Sequence, residues 1–165
     1  VYRYFDNKHK LLMYLSSWYW SWIEYNLVFS TSNITDSAQK LMKAITVVTE
    51  KIEDDASTSY INESVLNRII ITEFTKTFLT KQVDNEIRDG FFMVYDRVIN
   101  RIITMLAALV PNYPYSKCFV SDMVEGSLHQ HFLSSHLKSI TDCNENVSPT
   151  DYYIDLTQRL INSKI

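Results

Sequence analysis

Glycine and proline are nearly missing from this chain, with 2 and 3 residues in 165. An ordinary soluble domain has roughly 7% and 5%. Tight turns depend on both residues, so the shortage disfavours sandwiches, barrels and folds built on glycine-rich phosphate loops. Long helices are what it leaves. Positive charge is also short: the formal net charge is −3 and the isoelectric point about 5.8. The chain as a whole is therefore no nucleic-acid-binding surface, and any DNA contact has to come from a local patch. The 2 cysteines, Cys118 and Cys143, have no metal-type spacing and read as reduced thiols. No run approaches the ~18 uninterrupted apolar residues of a membrane span, and no leader-like segment is visible. Asn-x-Ser/Thr occurs at Asn33, Asn62 and Asn146, a motif common by chance, with nothing else pointing to secretion. The expected setting is the cytoplasm, with no membrane partner. A glycine-rich phosphate loop, His-Glu-x-x-His and Gly-x-Ser-x-Gly are all lacking, so neither catalysis nor a cofactor is expected.

What is present is apolar side chains at helical spacing. Hydrophobic residues make up 46% of the chain and aromatics 13%, enough for a core without disulfide or metal staples. Asn7 suits the cap of a helix running to about residue 29, with Leu11, Leu15, Trp18, Tyr19, Trp22 and Ile23 spaced by threes and fours. Thr31, Ser32 and Asn33 are turn chemistry. A second helix is expected over about 35–54, with Leu41, Ile45 and Val48 inward, followed by a polar connection over 55–60. A third over about 63–80 carries Leu66, Ile70, Phe74 and Phe78, and a fourth over about 85–109 carries Phe91, Val94, Val98, Ile102 and Leu106. Pro111 and Pro114 end it. The fifth, about 115–139, has one apolar face of Val120, Met123, Val124 and Leu128 and another of Phe119, Leu133 and Leu137. Ser148, Pro149 and Asp151 form a capping signature for a last helix carrying Tyr152, Leu156 and Leu160. The fold class is all-α.

The opening residues carry a more specific pattern. Val1, Tyr2, Phe5, Lys8, Leu11 and Leu12 match an aliphatic–Tyr–x–x–Phe–x–x–Lys–x–x–Leu–Leu spacing. This resembles the junction between recognition helix and linking helix in bacterial TetR-family transcriptional regulators. The layout that follows is similar too: a long linking helix, mid-length helices, and two C-terminal helices after a proline-containing break. The resemblance implies a TetR-like bundle in which residues 1–8 are the tail of a helix-turn-helix domain whose first helices are missing. Residues 9–165 would be the ligand-binding and dimerisation domain. It further implies a repressor that binds operator DNA as a homodimer and responds to a small effector held in the helical core. Tyr2 and Lys8 would then contact phosphates, with Arg3 and Tyr4 nearer base edges. Without the family pattern, Arg3, Lys8 and Lys10 would read as an ordinary solvated face.

On a helical wheel Tyr14, Trp18, Trp22 and Tyr25 share a flank that Phe74, Phe78, Phe91 and Tyr95 can face from other helices. Asn26 falls on the same stripe and needs a partner there. These residues are the expected lining of a pocket for an apolar or aromatic effector, against the plainer reading of core packing. His129 and His136 lie seven apart and only Glu125–His129 has metal-ligand spacing, so no metal is expected. A helix apolar on two sides needs two partners. Val120, Val124, Ser127, Leu128 and His131, with Tyr152, Leu156 and Leu160, are thus the expected dimer interface, closed as a four-helix bundle. The alternative is an all-α ligand-carrier or protein-interaction domain with no DNA role.

Overall fold

The computed structural model describes residues 4–52, 63–81, 83, 86 and 90–163. Among these, every regular element is a helix, and none is long and apolar enough to cross a membrane. The expectations for Tyr2, Arg3 and the 55–60 connection fall outside the described residues, as does the side chain of Phe78.

Helix α1 (Lys8–Thr31) starts at Asn7, which has extended backbone and accepts the Lys10 N–H at 2.9 Å through its side chain. Helix α2 (Ser37–Thr49) begins in the same way at Asp36, which accepts from Gln39 N at 2.7 Å. Both caps satisfy a backbone donor that no earlier turn can reach. The sequence predicts α2 to about 54, but it stops at Thr49 because Glu50 turns to extended backbone. Ile52 N then donates to Asn67 Oδ1 at 3.3 Å, so the chain leaves α2 to join the next helix.

That helix, α3 (Glu63–Glu73), breaks at Phe74 and is followed by a single turn, α4 (Thr75–Phe78), where one helix to about 80 is predicted. The helix predicted over about 85–109 is interrupted: Val83 and Glu86 are helical, residues 90–92 form a turn, and helix α5 (Met93–Ala107) begins only beyond it, for a reason seen at Gly90. Gly90 has a φ of +85°, a left-handed conformation that costs glycine little. Phe91 N donates back across it to Glu86 O at 3.2 Å, the bond that closes a glycine-terminated turn. Gly90 thus ends a turn and α5 begins only beyond it.

Helix α6 (Ser116–His136) follows the prolines, and a short 3₁₀ turn (Lys138–Ile140) leads to α7 (Pro149–Asn162). The cap of α7 is reciprocal: Ser148 Oγ accepts from Asp151 N at 3.1 Å, and Asp151 Oδ2 accepts from Ser148 N at 2.9 Å.

In the bundle α1 packs on α2, α5 and α3, while α6 packs on α5, α3 and α7, and α7 also lies on α2. One core holds Ile23, Leu27, Leu41, Ile45, Ile70, Val98, Ile102, Leu106, Met123 and Val124, all buried. The faces expected for α2 and α5 are the faces found. Where α6 meets α7, a side chain on Gly126 would strike the Tyr153 hydroxyl. This glycine therefore serves a contact within the chain.

Candidate functional site

The functional residues expected on α1 divide into an N-terminal group and an aromatic group. At the start, Tyr4 is 81% exposed, Lys8 is exposed at the first helical position, and the Phe5 ring lies 5.5 Å from that of Tyr14. The open amides of a helix N-terminus favour an anion, and Lys8 adds its charge there. Three contacts that sequence reasoning missed pin this half of α1 to the chain preceding α5. His9 Nε2 lies 2.6 Å from Glu86 Oε1, Lys10 Nζ sits 5.2 Å from the Phe91 ring centre, and Ser17 Oγ donates to Phe91 O at 3.2 Å. All join residues more than 70 apart, so periodicity carries no trace of them.

Further along α1, the aromatic residues assemble around Trp20, which the expected site omitted. Its ring centre is 5.2 Å from Phe74 and 4.7 Å from Tyr95, which are themselves 5.2 Å apart. Trp20 and Phe74 are buried. Tyr95 donates its hydroxyl to Glu125 Oε1 on α6 at 2.9 Å. Burial raises the Glu125 carboxyl above the usual carboxylate range, with the charge of Asp122 adding to the effect and the Tyr95 hydrogen bond opposing it. The Tyr95 phenol is raised by burial first and then by Glu125. Tyr19 is pushed up to about 12 by burial, and its hydroxyl accepts from Asn67 Nδ2 at 3.0 Å.

The rest of the expected pocket does not assemble at this point. Trp18 is half-buried against the core. Trp22 and Asn26 line a separate cavity of about 860 Å³ with Lys43, Val47, His131 and Thr150, on the α2 and α7 side. Phe91 lies beneath Lys10. Tyr25 is 67% exposed and stacks on Phe29 at the surface. The buried residues of α1 are Met13, Ser16, Tyr19, Trp20, Ile23, Leu27 and Thr31, so its inward face is turned away from the Tyr14–Tyr25 flank.

The expected dimer residues also divide. Val120, Val124, Ser127 and Leu128 are buried in the chain's own core. They are already covered by α7, α5 and α3 rather than left for a second copy. His131 is half-buried, with Nε2 2.7 Å from the Thr49 carbonyl, and burial holds its pKa below the ordinary imidazole value despite that bond. Tyr152 is 47% exposed, Leu156 and Leu160 are half-buried, and the inward residues of α7 are Tyr153 and Thr157. Among the described residues no group of three His, Cys, Asp or Glu side chains is placed to hold a metal ion.

Comparisons with protein-family models, with curated proteins and with solved structures give no match.

Proposed function

We propose that this chain is the regulatory part of a ligand-responsive transcriptional repressor of the TetR type, acting on operator DNA as a homodimer. The observation that carries the reading is the course of α1. Its capped N-terminus continues directly from the Tyr-x-x-Phe-x-x-Lys pattern, and 12 positions after Lys8 the same helix inserts Trp20 into the aromatic centre. At 1.5 Å per residue those points are about 18 Å apart on one rigid rod. An effector that binds better to one placement of this rod shifts the spacing of the paired DNA-reading heads, which is what linkage requires.

On this reading Lys8 and Tyr4 belong to the DNA-facing end. The effector is a small apolar or aromatic molecule in the helical core, reached from the Trp22–Asn26 cavity or the Phe74–Tyr95 side. The dimer would use the outward faces of α6 and α7, including Tyr152, Leu156 and Leu160.

The test is the full-length protein titrated onto its own promoter DNA at several salt concentrations. Binding should weaken steeply with salt, and Lys8→Ala should weaken it on all sequences and lower the log–log salt slope by about 1. Salt-insensitive binding, or none, would leave the carrier reading in its place. Light scattering should give a dimer at micromolar concentration, and a monomer would remove the interface. An effector should raise the melting temperature less in Trp22→Ala than in the parent.

A further inference from the structure

A cavity of about 610 Å³ opens between α3–α4 and α6, and its floor and rim differ in kind. The floor is apolar: Ile70, Phe74 and Leu128 are all buried, and half-buried Phe132 forms a wall beside them. Ring contacts with Trp20 and Tyr95 hold Phe74 in place. On the rim, α3 and α4 contribute the uncharged Thr72 and Thr75, whereas α6 contributes Asp122, Glu125 and His129. Spacing by three and four puts these on one face of α6. Asp122 is exposed and Glu125 half-buried, so the charge stands at the mouth and the apolar surface lies beneath it. Among the described residues no lysine or arginine lines the cavity, and neither carboxylate is in an ion pair. Glu125 accepts the Tyr95 hydroxyl at 2.9 Å. That bond fixes the carboxylate without neutralising it, because a phenol donates a hydrogen bond but carries no charge. Asp122, one turn earlier, works against the charge on Glu125.

From an apolar floor beneath an uncompensated pair of carboxylates we infer that this cavity binds a protonated amine carried on an aromatic body. The ammonium sits between Asp122 and Glu125, whose Cβ atoms at this spacing are about 5–6 Å apart. Its N–H donors reach both carboxylates. Because the pair stands at the mouth, the ammonium keeps part of its hydration, and the cost of a fully buried ion pair is avoided. The ring lies on the floor against Phe74 and Phe132, where aromatic groups favour offset or edge-on contact. The volume falls within the roughly 300–1,000 Å³ of small-molecule sites and takes a bicyclic ring with a short arm. A carboxylate on the same ring is repelled by the rim, and a neutral alcohol gains the floor but not the charge. The inference deepens the effector reading, since this cavity is on the Phe74 side of the core. Only the regulatory meaning of the bound amine rests on that reading; the binding itself does not.

The test is calorimetric titration of this chain at neutral pH with tryptamine, tryptophol and indole-3-propionate, which share a ring and a two-carbon arm and differ in the charge at its end. Tryptamine should bind at least tenfold more tightly than tryptophol, and indole-3-propionate should be weaker still. Asp122→Asn and Glu125→Gln should each weaken tryptamine at least threefold and together at least tenfold, with tryptophol unchanged. Glutamine keeps an acceptor for the Tyr95 hydroxyl, so this variant retains the α5–α6 contact. Phe132→Leu should weaken tryptamine and tryptophol alike. Glu145→Gln, in the loop before α7 and away from the cavity, should change nothing, whereas a general attraction to the net charge of −3 would respond to it as to the rim variants. Tryptophol binding as tightly as tryptamine, a tighter indole-3-propionate, an unchanged affinity in the double variant, a loss at Glu145→Gln equal to that at the rim, or no tryptamine binding would each overturn the assignment. If tryptamine binds through these residues yet leaves promoter binding by the full-length protein unaltered, the site stands and the repressor reading is the one that fails.

Discussion

Helices α1 and α2 start with the same device, an Asx side chain capping the third backbone N–H beyond it, yet only one of them reveals its buried face in advance. Along α2 the apolar residues Leu41, Ala44, Ile45 and Val48 recur at helical spacing with Lys43 and Thr46 between them, and these apolar positions are buried. Along α1 aromatic and aliphatic side chains surround the whole cylinder. Trp18, Tyr19, Trp20 and Trp22 point in successive directions, and any of several stripes satisfies the spacing. Amphipathicity locates a face only when the opposite face is polar. In α1 the choice passes to the neighbours: the Phe74 ring, the Tyr95 ring and the Asn67 amide select Trp20 and Tyr19.

The sharpest way to break this comparison is to truncate the tryptophans singly and measure stability by urea unfolding. Trp20→Ala should cost about 3–5 kcal/mol, as a buried aromatic that leaves a cavity does. Trp22→Ala should cost clearly less because its side chain is half-buried, and Tyr25→Ala should stay within about 0.5 kcal/mol. The reverse order would mean that the inward face of α1 has been misassigned.

The next effect is at α6, the other helix whose periodicity is ambiguous. Gly126→Ala should destabilise by about 1–3 kcal/mol through overpacking against the Tyr153 hydroxyl. Tyr153→Phe in the same chain should recover part of that loss, and this coupling is measurable by a double-mutant cycle. Strict additivity would show that Gly126 answers to something other than Tyr153.

A pH titration addresses the joint between α2 and α6. His131 has its imidazole pKa lowered in the folded chain, by burial first and by Lys51 in addition. The unfolded chain therefore takes up this proton more readily. Stability from this residue is complete above the unfolded value near 6.5 and falls as pH drops through it. Replacing His131 by Gln should flatten unfolding free energy against pH in that window, and an unchanged profile would assign the dependence to another group.

The smallest expected effects are at the caps, where α1 and α2 should agree. Asn7→Ala and Asp36→Ala should each cost about 1 kcal/mol by thermal unfolding. A much larger loss at Asn7 would show that residues preceding it are anchored through the cap.

Much of the fold is legible because its information is local. The Asn7, Asp36 and Ser148 caps, the prolines at 111 and 114, and the apolar spacing of α2 and α5 act through neighbours in sequence. The early end of α2 was not legible, since it depends on Asn67 accepting from Ile52 across 15 positions. The interruption before α5 had a signal in Gly90, which a search for helix-ending glycines would have marked. Of the expected pocket, Phe74 and Tyr95 do meet, and they meet at Trp20. Trp22 and Asn26 share another cavity, and Tyr25 faces outward. Three of the dimer positions on α6, Val120, Val124 and Leu128, were legible as apolar, but spacing alone cannot say which partner covers them. Val120, Val124, Ser127 and Leu128 are covered from within.

The sequence by itself determined an all-helical chain, because scarce glycine and proline leave few places to turn and local caps and apolar periods specify where most helices run. Only the tertiary structure decided which side of α1 and α6 faces the core, since both helices are apolar on several sides and the choice belongs to contacts distant in sequence.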